Sequence, residues 1–229
     1  MNKKKLAVLL GAKKKAWATV FDGTNSYIGC GTHASIATLA DNAFTAEGFF
    51  LSNNTTLAAT EYYFHKGHSS SKGWGIYKIA NQAIIRSRVF CETTPTVADW
   101  GVIPDGFWHH FAITFDDAGD RKLRFFVDGV LRNTGGAGVG AVVDDSLEDL
   151  TISGRALNPK LLGYVGWVRI SDSIRYTANF TPPSRYIYPE VDANTVRLFK
   201  MNEGTGTTVI DYSANAQNGT LETVTWKKM

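Results

Sequence analysis

Cysteine is scarce: Cys30 and Cys91 are the only two in 229 residues, too few for the disulfide framework on which small secreted domains rely. Both are expected to be buried free thiols, which suits synthesis in a reducing cytoplasm. No stretch approaches the roughly 20 consecutive apolar residues that a membrane-spanning helix needs, so a soluble chain with no membrane partner is expected. Helix-favouring runs are few, and there are no heptads to choose an oligomer, although a homo-oligomer would suit a surface-displayed domain. No serine lies in a nucleophile-elbow sequence. The Gly-x-x-x-Gly spacings between Gly135 and Asp145 lack the Lys-Ser or Lys-Thr of a phosphate loop, which leaves a flexible Gly-rich loop.

The net positive charge comes from one end. Lys3, Lys4, Lys5, Lys13, Lys14 and Lys15 stand before residue 16 with no acid among them, so the net +3 of the whole chain becomes −3 for the remainder. A basic arm over residues 1–16 on a slightly acidic body is read as a docking element for an acidic surface or as a solubilising tail. No basic stripe with interleaved aromatics follows, so specific nucleic-acid binding is excluded as the role of the body. Residues 1–18 imitate a signal peptide poorly, because three lysines separate the short apolar run Leu6 to Ala12 from Ala16-Trp17-Ala18. The expectation is an arm followed by one domain, 17–229, made without a signal peptide.

What the chain does have is 22 glycines, 12% aromatic residues and many Thr, Val, Phe and Tyr, the composition of half-buried strands joined by tight turns. An all-β domain follows. Between Phe107 and Phe115, Phe111, Ile113 and Phe115 share one face and His110, Ala112 and Thr114 the other; the period of two predicts a strand with the first set in a core. Asp116 to Asp120 forms a polar turn, after which Leu123, Phe125 and Val127 repeat the pattern. Asp128-Gly129 predicts a two-residue hairpin into Val130-Leu131. Further strands are predicted at 17–22, 44–51, 60–65, 73–80, 83–90, 149–153, 163–170, 195–200 and 220–226, and an extended proline-bearing crossing from Asn179 to Arg185.

Four segments in this order, Phe21-Asp22-Gly23-Thr24-Asn25-Ser26-Tyr27-Ile28, Phe44 to Phe50, Trp108 to Ile113 and Leu123 to Gly129, resemble the laminin G-like branch of the concanavalin A-like lectin and glucanase superfamily. The resemblance covers about 20–229 and implies a two-sheet antiparallel jelly-roll sandwich. Val168-Arg169-Ile170-Ser171, Arg175-Tyr176-Thr177, Phe180 to Pro183 and Asp192 to Thr195 are similar to laminin G-like modules of tailed-bacteriophage virion proteins, which implies a virion surface and capsid or tail partners. Met201 to Val209 with Asp211 to Asn215 and Asn218 to Leu221 resembles a stretch that in many relatives precedes the Phe-Asp-Gly strand. A circularly permuted order is therefore expected, with the strand near Leu221 to Trp226 beside that of Trp17 to Asp22.

The resemblance also directs the search for chemistry. Retaining glucanases need an acid and a nucleophile about 5 Å apart, and the nearest match to their Glu-x-Asp-x-x-Glu pattern, Glu190-Val191-Asp192, has Thr195 at its last position; no catalytic residue is assigned. His109 and His110 are neighbours on a strand and point to opposite faces, so they cannot chelate one ion together, and His65 and His68 lack further ligands. No cofactor is required. Calcium is the metal to consider: Asp211, Ser213, Asn215 and Asn218 match an Asp-x-Ser-x-Asn rim loop of laminin G-like relatives, although Gly166 and Trp167 stand where those relatives often carry an Asp-Glu pair, and an ion-free Asx turn accounts for the same residues. Sugar binding needs exposed aromatic faces with fixed polar groups beside them; Tyr62, Trp74, Tyr77 and Trp100 are the candidates, with core packing as the alternative for each. Two roles follow, a non-catalytic virion component docked through the arm and a lectin module for a host or environmental glycan. A glycoside hydrolase ranks below both.

Overall fold

A computed structural model describes residues 17–54, 60–67, 71–101, 106–154 and 160–229. The arm, with its six lysines, and His68 lie outside the described residues. The chain begins with β1 (Trp17–Asp22) and β2 (Tyr27–Gly29), a single helical turn α1 (Ala34–Ala37) and a short 3-10 turn, Leu39–Asp41. There follow β3 (Ala43–Ser52), β4 (Glu61–Lys66), β5 (Trp74–Lys78), β6 (Ile84–Val89) and β7 (Thr96–Gly101). Next come β8 (His109–Asp116), β9 (Lys122–Val127), β10 (Val130–Ala137), β11 (Leu150–Ile152) and β12 (Leu162–Ser171). The last are β13 (Thr195–Phe199), β14 (Thr208–Val209), β15 (Gly219–Glu222) and β16 (Thr225–Lys228).

These strands form two antiparallel sheets. Sheet A has the order β10-β9-β8-β3-β12-β1-β16, with β13 also paired to β12; sheet B runs β14-β15-β2-β11-β4-β5-β6-β7. Alternation along each strand sends one set of side chains between the sheets, where Phe44, Phe50, Phe64, Phe111, Phe115 and Phe125 are almost wholly buried. Burying one such ring stabilises the fold by roughly 1.5–3 kcal/mol relative to leaving it in water. Phe111, Ile113, Phe115, Leu123, Phe125 and Val127 all belong to this core, as their parity requires. The sheets close along one side, where the Leu123 amide donates to Thr96 Oγ1 at 3.0 Å and Asn133 Nδ2 donates to the Asp99 carbonyl at 2.8 Å.

The Asp128-Gly129 turn joins β9 to β10 with both residues at positive φ, 52° and 75°, the pair of values a two-residue hairpin demands. Two expectations are corrected, and three strands were not expected. The Gly-rich segment after Gly135 is not wholly a loop, since β10 continues to Ala137. The segment 220–226 is two strands, broken where Thr223 takes φ 52°. Short strands at Tyr27–Gly29 and Thr208–Val209, and β7, carry too little alternation to read from sequence. β16 lies beside β1, with Thr19 opposite Trp226.

The outer face of sheet A is polar where it is covered. Glu47, His110 and Arg169 project there, and the segment after β12 crosses over them with Tyr176 and Phe180, whose rings stack 3.5 Å apart. Thr45 and Thr114 fasten this crossing by donating to the carbonyls of Ser173 and Tyr176. No helix among the described residues is long and apolar enough to cross a membrane.

Candidate functional site

The outer face of sheet B presents a different surface. In β6, Ile85, Ser87 and Val89 are buried, so Arg86 and Arg88 project outward, and Phe90 follows them on the same side. In β5, Trp74 and Ile76 point into the core, which turns Gly75 and Tyr77 out. A bulge in β4 between Tyr62 and Phe64 resets the alternation, so that Tyr62 and His65, three residues apart, lie together. The register aligns Tyr62 with Tyr77 and His65 with Gly75, and Gly75 in turn with Arg88.

Tyr62 and Tyr77 stack with centroids 5.1 Å apart, and the Tyr62 ring also meets that of His65 at 4.9 Å. The Arg88 guanidinium lies 3.8 Å from the centre of Phe90 and 5.5 Å from that of Tyr77. Gly75 forms the floor, because a Cβ there would come within 2.6 Å of His65 Cβ. The enclosed volume is only about 20 Å³, little more than one water occupies, so the site is a shallow platform and not a cavity.

Charge singles out one residue on this platform. Lys66 Nζ pairs with Asp145 Oδ1 at 2.6 Å, Lys72 with Glu148 at 2.9 Å, and the neighbouring Arg86 with Asp99 through two bonds of 2.6 and 2.8 Å. Arg88 has no carboxylate partner among the described residues, and its Nε is buried without a hydrogen bond. Burial pulls the Arg88 guanidinium below its usual value, with Arg86 adding to the effect, yet an arginine stays charged in water. Burial likewise raises the Tyr62 hydroxyl. A half-buried, uncompensated cation flanked by aromatic faces can take an anionic group by charge-assisted hydrogen bonds while a ring lies on the tyrosines.

Of the four aromatic residues proposed for sugar contact, the structure brings together Tyr62 and Tyr77 alone. Trp74 is corrected: it borders the platform, but its ring is 2% exposed and packs 4.9 Å from Phe44 in the core. Trp100 lies apart from the platform. It pairs with the core residue Ile85, on the side of β7 opposite Asp99, and Arg132 covers its ring at 4.9 Å. Sequence reasoning missed Arg88, although the alternation in Ile84-Ile85-Arg86-Ser87-Arg88-Val89 already placed it on the outer face.

Asp211, Ser213, Asn215 and Asn218 converge, but their atoms are engaged. Asp211 Oδ1 accepts from the amides of Leu198 and Ser213, and Oδ2 accepts from Ser213 Oγ and the Gln217 amide. Asn218 Oδ1 accepts from the Asp211 amide, while Asn215 Nδ2 donates to the Val196 carbonyl. The buried Arg197 guanidinium stands 3.5 Å from Asp211 Oδ2. A calcium ion needs six to eight oxygen ligands, and this loop turns its oxygens to its own donors beside a resident cation. The residues do not fit the ion, and the Asx-turn reading replaces it. Among the described residues no cluster of His, Cys, Asp and Glu is arranged to hold a metal.

A family model described as Concanavalin A-like lectin/glucanases superfamily, of laminin G type, matches residues 22–181. The chain belongs to this superfamily. Its architecture is that superfamily's two-sheet antiparallel sandwich, and solved structures agree at low identity. The CBM40 module of Ruminococcus gnavus IT-sialidase, bound to alpha2,3-sialyllactose, is 13% identical with a TM-score of 0.50, over 68% of this chain and 92% of that one. Leech intramolecular trans-sialidase, complexed with 2,7-anhydro-Neu5Ac, is 16% identical with a TM-score of 0.52, over 71% of this chain. Domains LG4-5 of the mouse laminin alpha1 chain are 12% identical with a TM-score of 0.52, over 74%. This chain spans 27% of the leech protein's length and 47% of the mouse one. No curated protein sequence matches it.

Proposed function

We propose that the protein is a non-catalytic carbohydrate-binding module that holds an acidic glycan on the Tyr62–Tyr77–Arg88 platform. The observation that carries this reading is the uncompensated Arg88 guanidinium beside a stacked tyrosine pair. Stacked rings offer the apolar face a pyranose prefers, and a planar guanidinium matches a carboxylate bidentately. The sialylated ligands carried by the structural neighbours supply the first glycans to try. The non-catalytic part of the reading is supported by the engagement of the carboxylates nearest the platform among the described residues: Asp99, Asp145 and Glu148 each pair with a cation.

Calorimetric titration with sialyllactose and with lactose tests the proposal. Sialyllactose binds and lactose binds more weakly. Arg88→Ala lowers affinity for the acidic sugar by about tenfold or more, a loss of roughly 1.4 kcal/mol, and brings the two sugars level. Equal binding of both by the wild-type protein, or an Arg88→Ala variant that binds as the wild type does, overturns the reading. Release of reducing ends from a β-glucan would overturn its non-catalytic part.

A second reading, a virion component docked through its lysine arm, is supported by the resemblance of the segments from Val168 to Thr195 and by no structural neighbour named above. It is compatible with glycan binding, because a fold does not determine function. The pairing of β16 with β1 supports a permuted chain order within the same proposal.

A further inference from the structure

We infer that the sandwich carries a second acidic-glycan surface on the outer face of sheet A, making one chain bivalent. This surface lies beyond the crossing segment that covers Glu47 and His110. Tyr164 projects outward from β12, because its neighbour Val165 is wholly buried in the core. Trp108, just before β8, brings its ring to 6.3 Å from that of Tyr164. The Arg185 guanidinium lies 4.5 Å from the centre of the Trp108 ring and 4.2 Å from that of Tyr186. From β16, Lys227 donates to Tyr164 Oη at 3.3 Å and stands 5.2 Å from the ring centre.

Among the described residues neither Arg185 nor Lys227 forms an ion pair with a carboxylate, and the rings of Trp108 and Tyr164 lie between the two cations. Tyr186 is 43% exposed, so its ring is open to a ligand. Charge complementarity points to an anionic occupant, and the aromatic faces favour one built of rings over a string of isolated charges. An acidic polysaccharide, with carboxylates repeating along the chain, meets both requirements. The two surfaces face away from each other across a core about 10 Å thick, so a short oligosaccharide cannot touch both, and one protein can join two glycan chains.

The test is calorimetric titration of the full chain with a hyaluronan hexasaccharide, together with aggregation of beads coated with hyaluronan. The wild type binds two hexasaccharides and aggregates beads. Arg185→Ala combined with Lys227→Ala leaves one binding event and abolishes aggregation, and adding Arg88→Ala removes the remaining event. Both substituted side chains are at the surface, and circular dichroism confirms that the variant is folded. A single wild-type event that persists after Arg185→Ala with Lys227→Ala, or two events and undiminished aggregation in that variant, overturns the inference. So does tighter binding of a single-stranded DNA oligomer to this face than of the hexasaccharide. If Arg88→Ala alone changes nothing while the Arg185 and Lys227 variant loses the single event, the sheet B reading fails, and bivalency with it, while the sheet A surface stands.

Discussion

Glu47 on β3 and Arg169 on β12 meet across adjacent strands, with Nε and Nη2 of the guanidinium 2.7 and 2.5 Å from the same carboxylate oxygen. The other oxygen accepts from Tyr176 Oη and lies 3.0 Å from His110 Nε2. Three strands and the crossing segment thus converge on one buried carboxylate. Removing it strands a buried guanidinium, and breaking such a pair costs about 3–5 kcal/mol. Glu47→Gln is expected to lower the unfolding free energy by an amount in that range, read as a lower urea midpoint with the slope unchanged.

The same carboxylate sets an acid limit. Burial alone would raise Glu47, but the hydrogen bond and charge of His110 and the pairing with Arg169 outweigh it and hold the group below its usual range. A depressed carboxyl contributes stability above its unfolded value, about 4.3, and that contribution fades as pH falls through the lower folded value. The wild type is expected to lose stability below about pH 4 more steeply than Glu47→Gln, as read by thermal melts across that range.

Asp145 acts with the opposite sign. Burial pushes its carboxyl up to about 6, against the pull of Lys66, so between the unfolded value, about 3.9, and this one the folded chain holds the extra proton. Stability therefore falls as pH rises through that window. Asp145→Asn removes the titration, and its melting temperature is expected to vary less between those two values than that of the wild type.

Trp74 and Tyr77 separate stability from binding. Trp74→Ala empties a core position and is expected to cost about 3–5 kcal/mol while the folded fraction still binds sialyllactose. Tyr77→Ala is expected to do the reverse, with affinity lowered and the melt little changed. Parallel unfolding and titration of the two variants checks both halves.

This pair also shows what sequence alone could and could not reveal. Residues three apart on a regular strand point to opposite faces, so Trp74 and Tyr77 were never able to share a sugar site; parity does not say which of them faces the core. The strands from Phe107 to Leu131 were legible because long alternation and an Asp-Gly turn act locally. Arg88 is legible by parity as an outward residue of β6, but parity alone does not mark it as lacking a carboxylate partner, which depends on the strands beside it. Glu47, His110 and Arg169 were not legible as a group, because the register that joins them links positions 63 and 122 residues apart. Asp211 was misread for a related reason: its spacing suits an ion, and the buried Arg197 beside it comes from another strand.

That neighbour yields the last prediction. With Arg197 at 3.5 Å and four donors already on its oxygens, Asp211 has no coordination left to offer, and calcium would have to displace a buried cation to enter. A ligand that binds only the folded state at 100 times its dissociation constant adds about 2.7 kcal/mol of stability, which a thermal melt detects easily. Millimolar calcium and EDTA are both expected to leave the melting temperature unchanged. Asp211→Ala should instead destabilise the protein by about 3–5 kcal/mol, because it leaves Arg197 uncompensated in the interior. A calcium-dependent rise in the melting temperature that Asp211→Ala abolishes would restore the loop as a metal site and displace the internal ion pair as the reason for its sequence.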